Sequence, residues 1–73
     1  MEALTDEQLN QYRLDGTKVR VVRDALEIND VIGIVVAWDD ATVMIRRPNK
    51  RIVKLDRNYS ITPFTIERIN PFE

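Results

Sequence analysis

The 73-residue chain contains no cysteine and no histidine. Without cysteine there is neither a disulfide staple nor a thiolate ligand for a metal. Without histidine the commonest catalytic acid–base group and the commonest metal ligand are both missing. A metal would have to be held by carboxylates, a donor set that suits hard cations. Glycine is scarce, with two residues, and there is one tryptophan. No apolar run approaches the roughly 18 residues of a membrane helix. The opening MEALTDEQ is acidic and reads as neither a secretory signal nor a transit peptide. A soluble, cytoplasmic protein without membrane contact is expected.

An excess of one charge is also lacking. Eleven Lys and Arg stand against twelve Asp and Glu, a formal net charge of −1, whereas a nucleic-acid-binding domain is usually basic. The length suits one domain, residues 1–73. A core of this size stabilises by only roughly 3–5 kcal/mol, so the chain should be compact, oligomeric, or both.

What is present begins with a helix over residues 4–15. Thr5 and Gln8 have capping-box spacing, and Leu4 and Leu9 that of a hydrophobic staple. Asp6 and Glu7 complement the dipole of the first turn, and Gly16 supplies a left-handed stop. Leu9, Tyr12 and Leu14 form a narrow apolar stripe. Residues 17–23 alternate as a strand, Val19 and Val21 on one face and Lys18, Arg20 and Val22 on the other. Residues 24–30 break the alternation. They could make a helical turn, but their composition favours an acidic connecting loop, with Leu26 and Ile28 folding back onto the core.

Residues 31–47, VIGIVVAWDDATVMIRR, are the only long apolar stretch. They read as a hairpin about a tight Asp39-Asp40 turn. Ile32, Ile34, Val36 and Trp38 would share one face, and Val31, Gly33, Val35 and Ala37 the other. Gly33 marks a place where a bulge or close backbone approach lets the strand coil. Val43 and Ile45 should point inward. A second turn follows at Arg47-Pro48-Asn49-Lys50, with Asn49 tolerating left-handed geometry. Residues 51–55 form a strand with Val53 and Leu55 inward, and 56–58 a turn. Residues 59–62 are extended before Pro63. Residues 64–69 make a short strand or a single turn, and Asn70-Pro71 ends regular structure. The expected fold is mainly β: a small five-stranded SH3-like or Sm-like barrel over residues 17–69, preceded by the short N-terminal helix.

Gly33, Trp38-Asp39, Thr42-Val43 and Ile45 together resemble the first motif of Sm-like proteins. The helix with Leu9-Asn10-Gln11 resembles the N-terminal helix of the bacterial Hfq branch. That branch binds uridine-rich RNA through a Tyr-Lys-His run, and Leu55-Asp56-Arg57 stands in its place here, so that chemistry is not implied. Gly16-Thr17-Lys18-Val19-Arg20-Val21, Gly33-Ile34-Val35, Arg51-Ile52-Val53 and Asn58-Tyr59 are similar to small SH3-like or KOW-like domains, among them small uncharacterised proteins of Gram-positive bacteria. The closing Ile61-Thr62-Pro63 and Ile66-Glu67-Arg68-Ile69-Asn70 resemble the end of the plasmid-borne SH3-like dihydrofolate reductases. Tyr59-Ser60-Ile61-Thr62 lacks the glutamine and tyrosine of their Val-Gln-Ile-Tyr pore segment, so no such activity is implied.

Arg46, Arg47, Lys50, Arg51, Lys54 and Arg57 gather six cations around one carboxylate, Asp56. Such a hairpin can track phosphates or an acidic protein surface despite a neutral whole; it can equally be an edge kept soluble by charge. Asp24, Glu27, Asp30, Asp39 and Asp40 form its acidic counterpart, with no calcium-loop spacing. If the two faces meet in different copies, a homo-oligomeric ring results. Trp38, Tyr59 and Tyr12 read as core plugs before they read as an aromatic pocket. Asp39 and Asp40 sit in a solvated turn that gives no reason for the separated pKa values acid–base catalysis needs. Ser60 has no histidine to activate it. The expectation is a binding or adaptor module, not an enzyme, without cofactor, metal or small-molecule substrate. Its partner would be a protein or a nucleic acid; a structural homo-oligomer is the alternative.

Overall fold

The computed structural model describes residues 4–68. Helix α1 (Asp6–Asp15) starts where the caps place it. Thr5 Oγ1 accepts from the Gln8 N–H at 3.2 Å, and Gln8 Oε1 accepts from the Thr5 N–H at 2.9 Å. At the other end Gly16 is left-handed (φ 63°), and the Thr17 N–H reaches back to the Tyr12 carbonyl at 3.0 Å. That is the Schellman closure. Leu9 is fully buried, with Leu4 and Tyr12 packed beside the core, whereas Leu14 lies in solvent.

Five strands follow among the described residues: β1 (Lys18–Val22), β2 (Val31–Trp38), β3 (Thr42–Arg46), β4 (Ile52–Asp56) and β5 (Ser60–Pro63). All pairings are antiparallel, in the order β4-β3-β2-β1-β5. The last strand therefore returns beside the first. Pro63 closes β5 at the edge of the sheet, where a missing N–H is tolerated. The core is one cluster of Leu9, Val19, Val21, Val31, Val35, Val43, Ile45, Leu55 and Ile61. It draws on the helix and all five strands.

The central hairpin departs from simple alternation. Val35 pairs with Ile45, but Ala37 pairs with Met44, so Val36 is the extra residue of a β-bulge. One added residue inverts the faces beyond it. Trp38 consequently lies opposite buried Val43 and packs on the core, not beside Ile32 and Ile34 as alternation predicts. Gly33 serves as a point of close approach: a Cβ there would lie 2.2 Å from the Arg46 carbonyl oxygen.

The turns hold further differences. In the β3–β4 turn the left-handed residue is Lys50 (φ 68°), not Asn49. Lys50 N–H bonds the Arg47 carbonyl at 2.8 Å, and Asn49 Oδ1 accepts from the Arg51 N–H at 3.0 Å. This is a turn closed by one left-handed residue, the usual longer hairpin link. Residues 24–30 contain a 3₁₀ turn, Glu27–Asn29, and Leu26 and Ile28 do not fold back; they are 61% and 91% exposed. Their loop is stitched by polar bonds, Asp24 accepting from the Leu26 N–H and from Asn29 Nδ2, so it needs no apolar anchor. After β5 the chain makes a single turn, with the Ile66 N–H on the Pro63 carbonyl. Ile69, Asn70 and Pro71 lie outside the described residues.

Candidate anion-binding groove

The β3–β4 turn folds beside the outer face of β2 and forms a groove of about 690 Å³. Gly33, Ile34 and Pro48 make its apolar part; among the described residues Lys18, Arg46, Arg47 and Lys50 bring four cations and no carboxylate. None of the four is in an ion pair among the described residues. Three come from the basic hairpin. The fourth, Lys18, arrives by register: Lys18 pairs with Ile34, which pairs with Arg46. Directly opposed residues project from the same face, so β2 lies between two strands that each raise a cation beside it. Local sequence pattern does not carry that signal, because Lys18 and Arg46 become neighbours only through two ladders.

The other cations of the hairpin diverge. Arg51 is exposed at the end of the turn, and Lys54 lies opposite Met44, outside the groove. Arg57 is engaged elsewhere. Its side chain, 11% exposed, donates to Asp6 Oδ1 (2.6 Å), the Asp39 carbonyl (2.7 Å) and the Leu4 carbonyl (2.8 Å). It clasps the start of α1 to the β2–β3 turn.

The acidic residues fall at the two ends of β2 instead of forming one patch. Before it, the Asp30 side chain is 3% exposed and receives Arg68 Nε at 2.7 Å, with Arg20 Nη1 at 3.7 Å. Glu27 pairs with the same Arg20 nitrogen at 3.4 Å. Neither Arg20 nor Arg68 is near these carboxylates in sequence. The Asp30 hydrogen bond holds the Arg68 guanidinium above its ordinary pKa. Asp24 is lowered, chiefly by the Leu26 N–H and then by Asn29. After β2, Asp39 Oδ1 accepts from the N–H groups of Ala41 (2.9 Å) and Thr42 (2.7 Å) and from the Thr42 hydroxyl (2.9 Å). Those donors, Ala41 first, hold its carboxyl below the usual range. Asp40 is exposed in the same turn.

Phe64 stands at the β1 side, with Lys18 Nζ 4.9 Å and the Arg20 guanidinium 5.0 Å from its ring centroid. Trp38, Tyr12 and Tyr59 all pack on the core. Among the described residues no three His, Cys, Asp or Glu are grouped to hold a metal, and no helix is long and apolar enough to cross a membrane. Comparison of the chain with protein-family models, curated proteins and solved structures finds no match.

Proposed function

We propose that this protein is a non-enzymatic binding module that docks onto an acidic protein surface or a nucleic-acid backbone through the groove beside its basic hairpin. The observation that carries this reading is the convergence of Lys18, Arg46, Arg47 and Lys50 with no carboxylate beside them among the described residues. Four like charges held together are mutually repulsive, and an anion relieves that repulsion. The strand order, which returns β5 to β1, supports an SH3-like or Sm-like barrel beneath the site. The carboxylates do not support acid–base chemistry. Turn donors lower Asp24 and Asp39, away from the raised pKa a general acid needs. An oligomer joined through opposite faces has less in its favour, because Asp24 and Asp30 already use both carboxylate oxygens within the chain and Asp39 uses one.

Anisotropy titrations of labelled acidic peptide and labelled oligonucleotide test the reading. Four neutralised charges predict a log–log salt slope of about −3 to −4 on nucleic acid, roughly a hundredfold loss from about 50 to about 200 mM salt. Arg46→Glu with Arg47→Glu should abolish binding of either probe. Undiminished binding by that variant, or binding insensitive to salt, contradicts the proposal. Light scattering tests the alternative: a defined multimer that the same double variant dissociates would favour it.

A further inference from the structure

We infer that the groove's partner is a helical protein segment that presents acidic and apolar side chains alternately, one helical turn apart. This rests on the proposed docking function and specifies the chemistry of the partner.

Lys18, Ile34, Arg46 and Ile52 occupy consecutive register positions across β1, β2, β3 and β4. The outer face therefore carries a row that reads cation, apolar, cation, apolar. Ile34 is half-buried, and Ile52 is 59% exposed although it is a large apolar side chain. Strands repeat at about 4.8 Å, so each type recurs about 10 Å along the row. A helix advances about 5.4 Å per turn. Side chains on one helical face, acidic at i, apolar at i+3 or i+4 and acidic at i+7, can thus follow the row nearly in step. Arg47 and Lys50 in the adjoining turn flank it with further positive charge.

The same surface suits nucleic acid less well. Base binding gains most from aromatic faces on which bases stack. Among the described residues the groove has no aromatic side chain, and Phe64 nearby already has Lys18 and Arg20 against its ring. A phosphate backbone would engage the cations and leave Ile34 and Ile52 uncovered. An acidic, apolar-anchored segment satisfies both halves of the row.

The test uses the intact protein and five probes by anisotropy or titration calorimetry. The first is a synthetic peptide of about four helical turns with Glu and Leu alternating at one-turn spacing. The others are the same composition scrambled, the first peptide with Leu replaced by Ser, a single-stranded oligonucleotide, and phosphatidylserine vesicles. The patterned peptide should bind at least about tenfold more tightly than the scrambled or Ser-substituted ones. Ile52→Ser, at an exposed position, should weaken the patterned peptide about tenfold and leave the Ser-substituted peptide unchanged. Equal binding of patterned and scrambled peptides overturns the inference. So does tighter, Arg46-dependent binding of oligonucleotide, which leaves the docking reading standing, whereas tightest binding of vesicles overturns both. No binding of any anionic probe, or binding indifferent to Arg46→Glu, overturns both.

Discussion

Replacing Gly33 with alanine perturbs the point where the hairpin and the groove share one backbone. The added methyl would lie 2.2 Å from the Arg46 carbonyl oxygen, 2.9 Å from its carbon and 2.8 Å from Ile45 Cγ2. Ordinary van der Waals contact begins near 3.4 Å, so β2 and β3 must part by about 1 Å where Ile34 pairs with Arg46. Overpacking of this kind costs about 1–3 kcal/mol. A ladder hydrogen bond lost to the separation adds about 1 kcal/mol. The sum, about 2–4 kcal/mol, compares with the roughly 3–5 kcal/mol available to a domain this small. Gly33→Ala should therefore bring the protein close to its unfolding transition, with about 1 kcal/mol of stability left at the midpoints of these ranges. Trp38 packs on the core beside this hairpin and is the single tryptophan, so urea unfolding followed by its fluorescence reads the effect directly. Gly16→Ala provides the contrast. A Cβ at Gly16 meets nothing within 4 Å, and the cost is only the left-handed backbone, about 1–2 kcal/mol. A Gly33→Ala protein within about 0.5 kcal/mol of the parent, the scatter of neutral surface changes, would refute the close approach on which this reasoning rests.

Three further outcomes follow from particular contacts. Arg57→Ala removes the donor shared by Asp6 and the Leu4 and Asp39 carbonyls. It should cost about 2 kcal/mol in chemical denaturation, with faster amide exchange at the start of α1; an unaltered midpoint would show that the clasp adds nothing. Lys50→Gly relieves a left-handed lysine and should raise stability by about 0.5–1 kcal/mol while weakening anion binding. A rise or fall in both together would contradict the separate roles of backbone and charge. Because the folded-state pKa of Asp39 is lowered, its stabilising contribution is fully present above the unfolded value of about 3.9 and is lost as pH falls through the folded one. Asp39→Asn keeps an acceptor in the turn but cannot titrate. The stability gap between parent and variant should close as pH falls from about 5 to below the unfolded carboxylate value, and a gap constant across that range would rule the linkage out.

Local features were readable in the sequence where the physics is local. Thr5, Gln8 and Gly16 announce the helix limits because caps act within four residues. The Val19-Val21 and Val43-Ile45 alternations identify inward faces because side-chain direction follows strand period. The bulge at Val36 could not be read in the same way: a continuous apolar run looks alike with or without one extra residue, and only pairing with β3 reveals the slip. Leu26 and Ile28 mislead because apolarity alone does not say whether a loop is held by core contacts or by polar stitching. The groove was half legible. Arg46, Arg47 and Lys50 are close in sequence, but Lys18 joins them through two successive registers. Arg57 looks like its neighbours until its three acceptors, supplied by distant segments, are seen to claim it.

The most direct test of the groove is a comparison of Lys18→Glu with Lys54→Glu in binding the patterned acidic peptide. The two substitutions change net charge equally, but only Lys18 lines the groove. Lys18→Glu should weaken binding at least about tenfold and Lys54→Glu by clearly less, because a cation that lines the site meets the partner's charge directly while one outside it acts through solvent. Equal losses in the two variants, or full binding by Lys18→Glu, would contradict a built site and leave only a diffuse basic surface.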